Sequence, residues 1–252
     1  MKLALITGAS SGLGEALARL LAAKGISLIL TARHPERLQA VAGSLNAEWL
    51  CLDLAEERAP LLDLIRGRCP DLVINNAGFA LYGPALAHAT AAEREILEVN
   101  GCAALEISLE AARALKFRKR SGIICNISST AGELSFPSLA VYSAAKAFIT
   151  SFSKSFDAEM RPFGIRILAS LPGQIATPFA AAASKGSYHQ RRSFFTLSPS
   201  YAAGQIWRQI EKRKGVHVID WRYRLALLLA KTVPRRCLEK FLSRSIMERI
   251  SP

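Results

Sequence analysis

A tyrosine and a lysine four residues apart are the side chains in this sequence best suited to moving a proton. Tyr142 and Lys146 lie in the run Ala140-Val-Tyr-Ser-Ala-Ala-Lys146, and Ser129 precedes the tyrosine by 13 residues. If the run is helical, the i, i+4 spacing places both side chains on one face. A neighbouring ammonium favours the phenolate, so we expect the pKa of Tyr142 to fall from its usual value near ~10. Such a phenol suits general acid–base catalysis, with Ser129 holding a substrate oxygen.

A glycine-rich turn near the start of the chain is a second candidate site. Residues 2–6 form a short apolar run that predicts a buried strand, and residues 15–24 have the pattern of an amphipathic helix. Between them lies Thr-Gly-Ala-Ser-Ser-Gly-Leu-Gly, a turn in the context that gives such motifs meaning. Its three glycines are expected to allow a tight turn, close approach of a pyrophosphate and close helix–strand packing: Gly8, Gly12 and Gly14. The alternative is a structural turn that binds no ligand. The position of the glycine turn after the first strand and before a helix favours a bound dinucleotide.

The rest of the chain alternates between strand and helix patterns. Further strands are predicted at 26–31, 47–52, 71–75, 122–127 and 165–170, and helices at 36–45, 91–114 and 142–161. Repeated βαβ units predict an α/β fold of the Rossmann type, one domain over residues 1–252 with a doubly wound parallel sheet between helices. Ligands bind beyond the carboxyl ends of such strands. Four residues directly follow predicted strands and are therefore expected on one rim: Ser10, Asn76, Ser129 and Pro172.

These blocks together resemble the short-chain dehydrogenase/reductase family, in particular a broad bacterial branch of it. The resemblance extends from Leu3 to about Thr177, roughly seventy per cent of the chain. The motifs that carry it, in chain order, are Thr7-Gly8-x-x-x-Gly12-x-Gly14, Asn75-Asn76-Ala77-Gly78, Ser129, Tyr142-x-x-x-Lys146 and Pro172-Gly173 followed by Thr177. This branch of the family does not fix the substrate.

The resemblance implies an oxidoreductase that reduces a ketone to a secondary alcohol with NADPH. Tyr142 would give its proton to the substrate oxygen while Ser129 donates a hydrogen bond to it. Lys146 would bind the nicotinamide ribose and lower the pKa of Tyr142. Asn100, in Glu98-Val-Asn-Gly101, would hold a water in the proton relay beside an irregular helix turn. Ser128 is the rival of Ser129, but the spacing to Tyr142 and the following Gly132 favour Ser129.

The same resemblance implies a set of dinucleotide-binding residues. They are Gly8, Ser10, Ser11, Gly12, Leu13, Gly14, Arg33, Asp53, Leu54, Asn76, Ala77, Gly78, Tyr142, Lys146, Pro172, Gly173, Ile175 and Thr177. Asp53 would contact the adenine amino group, although capping the next helix is an almost equally good interpretation. No metal ligand is expected in this set.

The end of the second predicted strand favours NADP over NAD. An acidic residue at this place would bind the ribose 2′-hydroxyl of NAD, but the chain has Ala32 followed by Arg33. Alanine removes a carboxylate that would repel a 2′-phosphate, and arginine can hold the phosphate with paired hydrogen bonds. Arg37, one helical turn further on, would assist. The alternative is that Arg33 is only a solvated surface charge.

Composition places the chain among intracellular α/β proteins with an uneven charge. Its 252 residues are 50% hydrophobic, and its five cysteines are scattered, which indicates reduced thiols rather than disulfides or a metal site. The N-terminus enters the first strand directly, so no signal peptide is expected and the expected location is the cytoplasm. Residues 1–184 hold 18 Lys and Arg against 16 Asp and Glu, whereas residues 185–252 hold 15 against 4. The charge of +13 therefore lies almost entirely in the last quarter.

The last quarter contains two segments whose role the resemblance does not cover. Residues 178–200 are expected to form a lid over an apolar or acyl carbonyl substrate. Residues 221–252 form a basic helical C-terminal extension in which Leu238, Phe241, Leu242, Ile246 and Ile250 share one helical face. That face would lie on a membrane, meet an acidic partner, or pack on the domain or another subunit of a homo-oligomer.

A different class of function is a dinucleotide-sensing or scaffold protein whose basic C-terminal extension binds lipid, acidic protein or nucleic acid. Nucleic acid is the weakest of these partners, because no recognition motif accompanies the aromatic and basic residues. Turnover of a ketone would separate a reductase from a sensor.

Overall fold

The structure is a computed structural model that describes residues 1–184 and 193–250, with side chains of the last helix described as far as Arg244. Its centre is a seven-stranded sheet in the order β3-β2-β1-β4-β5-β6-β7. All neighbouring strands run parallel. The strands are β1 (Leu3–Thr7), β2 (Ser27–Ala32), β3 (Glu48–Cys51), β4 (Leu72–Asn75), β5 (Gly122–Ile127), β6 (Ile165–Leu171) and β7 (Val216–Val218).

Helices cover both faces of this sheet. They are α1 (Gly12–Ala23), α2 (Pro35–Leu45), α3 (Ala59–Arg68), α4 (Thr90–Leu97), α5 (Ala104–Phe117), α6 (Ala140–Met160), α7 (Phe179–Ala183), α8 (Pro199–Glu211), α9 (Trp221–Ala230) and α10 (Arg235–Ile250). Apolar side chains of α1, α2 and α8 pack on one face of the sheet. Those of α3, α5 and α6 pack on the other. Because both faces are covered, the central strands are buried on both sides, which explains their unbroken apolar runs.

The doubly wound parallel sheet and the single domain predicted from the sequence are confirmed. The six predicted strands are present with ends shifted by no more than one or two residues, as in β1 at Leu3–Thr7. The prediction did not assign β7, α3 or α8. The three-residue β7 is too short to give a periodic signal, since Val216 and Val218 flank a single histidine.

The strand order reverses at β1, which pairs with β2 on one side and with β4 on the other. This reversal opens a crevice at the carboxyl ends of the strands. Within the two described stretches of chain, none of the helices is both long and apolar enough to cross a bilayer.

Candidate active site

The turn between β1 and α1 has the backbone geometry that its glycines predict. Gly8 and Gly12 have positive φ angles of 65° and 58°, which side chains disfavour. A Cβ atom on Gly14 would overlap the carbonyl oxygen of Gly8. The turn can therefore close only with glycine at position 14. The first N–H groups of α1 have no acceptor within the helix and face an anion-binding position.

The Asn75-Asn76 pair fixes this turn to the rest of the rim. Asn76 Nδ2 donates to the carbonyl oxygens of Thr7 (3.0 Å) and Gly8 (3.1 Å). Asn75 Nδ2 donates to Asn126 Oδ1 (2.8 Å) and so ties β4 to β5. Asn75 is thus a positioning residue inside the core, a role that the motif alone did not reveal.

Ser129 and Ser128 have different surroundings. Ser129 begins a 3₁₀ turn at Thr130–Glu133, where its Oγ accepts a hydrogen bond from Ala131 N (3.1 Å). Its side chain lies beside Tyr142, whose pKa it lowers, whereas Ser128 is only 2% exposed. Ser128 Oγ instead donates to the Lys146 carbonyl oxygen (2.8 Å) within the protein. The geometry therefore favours Ser129 as the serine that can reach a substrate.

Tyr142 and Lys146 lie on α6 with their side chains together, but the pKa of the tyrosine moves against the expected direction. Lys146 Nζ lies 5.6 Å from the Tyr142 ring centroid and donates to the Ile127 carbonyl oxygen (2.9 Å). Burial raises the pKa of Tyr142 to about 12, although its hydrogen bond with Ser129 opposes this. Burial also lowers the pKa of Lys146 to about 8. The expected fall in the pKa of Tyr142 is wrong for this site, because loss of solvation outweighs a cation that is itself weakened by burial.

Asn100 lies in a π-helical turn, Glu98–Ala103, between α4 and α5. This agrees with the helix irregularity that the sequence predicts. Its Nδ2 donates to the carbonyl oxygens of Phe79 (2.9 Å) and Ile96 (2.9 Å). Among the described residues, Asn100 Oδ1 is a buried acceptor without a hydrogen-bond partner. A Cβ on Gly78 would overlap this oxygen and lie 3.3 Å from Lys146 Nζ, so both atoms face Gly78.

Arg33 stands at the end of β2 beside two carboxylates. Its NH1 atom lies 3.6 Å from Glu95 Oε1 and 4.0 Å from Asp53 Oδ2, and its side chain is 48% exposed. Asp53 Oδ1 accepts a hydrogen bond from Ala55 N (2.8 Å), so Asp53 stabilises its own turn. It is not the N-cap of α3, which is Arg58. Arg33, His34 and Arg37 all line the cavity.

One cavity of about 930 Å³ joins these groups. Seventeen of the eighteen proposed dinucleotide-binding residues line it: Gly8, Ser10, Ser11, Gly12, Leu13, Arg33, Asp53, Leu54, Asn76, Ala77, Gly78, Tyr142, Lys146, Pro172, Gly173, Ile175 and Thr177. Gly14 does not, consistent with a packing role. Phe79, Tyr82 and Phe136 also line the cavity.

The C-terminal extension forms part of the same cavity, which the sequence did not specify. Of the apolar face predicted in α10, Leu238, Phe241 and Leu242 line the cavity, although Phe241 remains 70% exposed. Ile246 and Ile250 lie beyond the described side chains. Tyr223 and Leu227 of α9 also line the cavity and were missed, although their i, i+4 spacing was a usable signal.

The predicted lid is described only in part. Phe179 begins α7, and its ring lies 5.8 Å from that of Tyr142. Phe179 and Phe195 line the cavity. Residues 185–192, including Lys185, Gly186, Tyr188, Arg191 and Arg192 of the predicted lid, lie outside the described residues.

These features define a dinucleotide-binding oxidoreductase. The positive-φ glycines, the free helix N-terminus and the space in front of Gly78 fit the phosphates and ribose of a nicotinamide dinucleotide. Residues 2–187 match the family model for short chain dehydrogenase, and the chain belongs to that family. It is therefore an enzyme that acts on CH–OH or C=O groups.

Known proteins similar to this chain include reductases of acyl compounds. The chain is 34% identical over 189 residues to the 3-oxoacyl-acyl-carrier-protein reductase of Escherichia coli, covering 73% of this chain and 77% of that protein. It is 32% identical over 188 residues to the NADPH-dependent 1-acyldihydroxyacetone phosphate reductase of Saccharomyces cerevisiae, covering 71% and 63%. A solved short-chain dehydrogenase from Sphingobium yanoikuyae, in complex with NADPH, is 26% identical with a TM-score of 0.80, covering 95% and 96%.

Proposed function

We propose that this protein is an NADP(H)-dependent reductase that converts a ketone into a secondary alcohol. The observation that carries the proposal is the meeting of Ser129, Tyr142 and Lys146 in the cavity whose other end is the glycine turn. The two curated relatives are named as reductases of acyl compounds, and one is named as NADPH-dependent. A nicotinamide dinucleotide supplies the hydride when bound, and the protein supplies the proton and the orientation.

Tyr142 acts as the proton donor to the substrate oxygen. Its pKa, raised to about 12 by burial, keeps the phenol protonated at neutral pH, which is the form that a carbonyl reduction needs. The Ser129 hydroxyl donates a hydrogen bond to the same oxygen and polarises the carbonyl. A water held between Asn100 Oδ1 and Lys146 Nζ, both facing Gly78, would pass a proton from solvent to the Tyr142 phenolate that this transfer leaves.

NADP is the proposed cofactor because of the charges at the end of β2. Arg33, His34 and Arg37 line the cavity there, and residue 32 carries no carboxylate. A 2′-phosphate placed beside Arg33 would draw the guanidinium away from Glu95 and Asp53. NAD has a neutral 2′-hydroxyl at this position, which would not attract the guanidinium away from the two carboxylates.

The test is the oxidation of NADPH and NADH with a panel of ketones, comparing wild type with Tyr142→Phe. We expect NADPH to be preferred, and Tyr142→Phe to lower kcat/KM by about 10²- to 10⁴-fold while NADPH binding, followed by fluorescence titration, is retained. Tyr201→Phe, a tyrosine outside the cavity, is the control. Absence of turnover with every ketone would leave the dinucleotide-sensing or scaffold function instead. Equal, measurable rates for wild type and Tyr142→Phe would mean that Tyr142 is not the proton donor of the reductase.

We also propose that the outer side of α9 contacts an anionic membrane surface. Trp221, Leu225 and Leu228 are 60%, 49% and 61% exposed, and Arg224 and Lys231 flank them. Apolar side chains beside cations suit the interface of a bilayer that contains anionic lipid. Co-sedimentation with phosphatidylserine vesicles should be reduced by Leu225→Glu with Leu228→Glu, and not by Leu86→Glu, a fully exposed leucine elsewhere. Equal sedimentation of all three proteins contradicts the proposal.

A homo-oligomer is proposed from exposed apolar side chains on two neighbouring helices. Leu97 of α4 and Phe148 of α6 are 42% and 46% exposed, and the two helices pack on each other. A second copy of the chain would cover them. Light scattering after size-exclusion chromatography should give a mass of at least two chains, and a shift towards the monomer in Phe148→Glu. A wild-type monomer contradicts the proposal.

A further inference from the structure

The last two helices supply an apolar wall of the cavity that holds Tyr142. The lining side chains of both helices and of the link between them are apolar or uncharged, and they include Leu227, Ala230, Val233, Leu238, Phe241 and Leu242. All of them lie beyond residue 187, where the match to the family model ends. The charged side chains of α9 and α10 that the structure describes do not line the cavity. This wall therefore lies outside the matched segment and carries no charge.

The wall is held in place at the start of α9. Asp220 caps the helix by accepting a hydrogen bond from Arg222 N (2.9 Å). The Tyr223 hydroxyl accepts from Gln174 N (2.7 Å) and donates to the Phe195 carbonyl oxygen (2.9 Å). These bonds connect α9 both to the strand-end loop after β6 and to the end of the lid. The position of the wall relative to Tyr142 is thus fixed by directional bonds, and not by apolar contact alone.

The facing wall is also apolar. Leu134, Phe136, Leu139 and Phe179 line the cavity on the side of Tyr142. Leu139 packs with partly buried Phe136, Tyr142 and Phe179 in one cluster. A substrate whose carbonyl reaches Ser129 and Tyr142 therefore extends between two surfaces without charge. A polar chain would lose its hydration there with nothing to replace it.

α9 is held mainly by polar and aromatic contacts in its first turn, such as those of Arg222 and Tyr223. None of its residues is buried, although most of its side chains are apolar. Apolar surface on the cavity side of α9 becomes covered when an apolar chain occupies the cavity. Occupation by such a chain and retention of the helix on the domain therefore favour each other.

We propose that the C-terminal extension makes this enzyme selective for ketones with a long apolar chain, such as fatty acyl or long alkyl ketones. This inference rests on the proposed ketone reductase function. The carbonyl lies at Tyr142, and the chain lies between the extension and the Phe136–Phe179 side of the cavity. Each added CH₂ that reaches the wall should raise kcat/KM by up to about fourfold, until the cavity is filled.

The test is a series of methyl ketones from butanone to tridecanone, reduced by the full-length protein with NADPH. Wild-type kcat/KM should rise along the series. Leu227→Trp, which fills the cavity, should lower the ratio of kcat/KM for tridecanone to kcat/KM for butanone by about tenfold or more. The matched control is Leu228→Trp, the same substitution at the next position, where the side chain is 61% exposed and does not line the cavity. Its kcat/KM should rise with chain length as it does in wild type.

The outcomes separate the two proposals. If no ketone of any length is reduced, the reductase function itself is wrong. If butanone and tridecanone are reduced equally well by wild type, or if Leu227→Trp and Leu228→Trp give the same series, the reductase stands and the role of the extension is overturned. Should Leu227→Trp fail to fold, as judged by circular dichroism, Ala230→Phe takes its place with the same expectation. A further measurement, which needs no variant, is the inhibition of wild type by linear alcohols. Inhibition should strengthen with chain length, and inhibition independent of chain length would contradict the proposal.

Discussion

The rim at the strand ends and the C-terminal extension contribute to the same cavity in opposite ways. On the rim, the reacting side chains are fixed by buried hydrogen bonds, such as that of Lys146 to Ile127. The extension presents mostly aliphatic surface, and α9 has no buried residue. Chemistry needs groups held within fractions of an ångström, whereas an apolar chain needs only an apolar surface of suitable shape. The two regions therefore suit two tasks: reaction at the rim, and selection of the substrate by the extension.

The largest effect is expected at the glycine turn of the rim. Gly14→Ala should destabilise the protein by about 1–3 kcal/mol and weaken dinucleotide binding, because the new Cβ meets the Gly8 carbonyl oxygen. Gly43→Ala is the matched control, since it is also in a helix but has open space around it. It should stabilise by about 0.5–1 kcal/mol. Urea denaturation of both variants measures the free energy of unfolding. Equal changes in the two variants would mean that position 14 has room for a Cβ atom.

Arg33→Ala tests whether the rim also selects the cofactor. Loss of a charged hydrogen bond to a 2′-phosphate should raise the KM for NADPH by about 10- to 100-fold and leave the KM for NADH little changed. Arg19→Ala, an exposed arginine paired with Glu15 and outside the cavity, should leave both KM values unchanged. An equal rise in the KM values for NADPH and NADH would mean that Arg33 supports the fold and does not bind the 2′-phosphate.

Tyr223→Phe tests the attachment of the extension to the rim. Removing its hydroxyl leaves Gln174 N–H and the Phe195 carbonyl without this partner, at a cost of about 1 kcal/mol. Hydrogen exchange at the Gln174 amide should become faster. Tyr201→Phe, which removes a hydroxyl bonded to Asp220, should not change that amide. Unchanged exchange in Tyr223→Phe would show that the extension is held by apolar contacts alone.

The charge of buried Lys146 should be seen in the pH dependence of stability. Its pKa is about 8 in the fold against 10.5 for an ordinary lysine, so between these values the unfolded chain binds a proton that the folded chain has released. Wild-type stability therefore gains from Lys146 as pH rises from about 8 to 10.5. Lys146→Met should have the larger Tm advantage below pH 8, narrowing towards pH 10. A constant difference in Tm would mean that Lys146 is not desolvated.

Most of the rim could be predicted from the sequence, because its requirements are local. Gly8, Gly12 and Gly14 follow a buried strand, and Tyr142 and Lys146 are separated by one helical turn. The parallel sheet then brings strand ends together whatever the intervening loops contain. The pKa of Tyr142 could not be predicted in this way. It depends on how completely neighbouring elements remove water from the phenol, which spacing does not encode.

The sequence by itself determined the fold family, the positions of the first six strands along the chain and the identity of the groups that meet at the strand ends. It also determined that the segment after Pro234 is an amphipathic helix. Only the tertiary structure decided where its apolar face lies, since helical periodicity marks a face that must be covered but does not name what covers it. Here Leu238, Phe241 and Leu242 line the cavity, and hydrogen bonds of Tyr223 to distant loops hold the preceding helix, α9, on the domain.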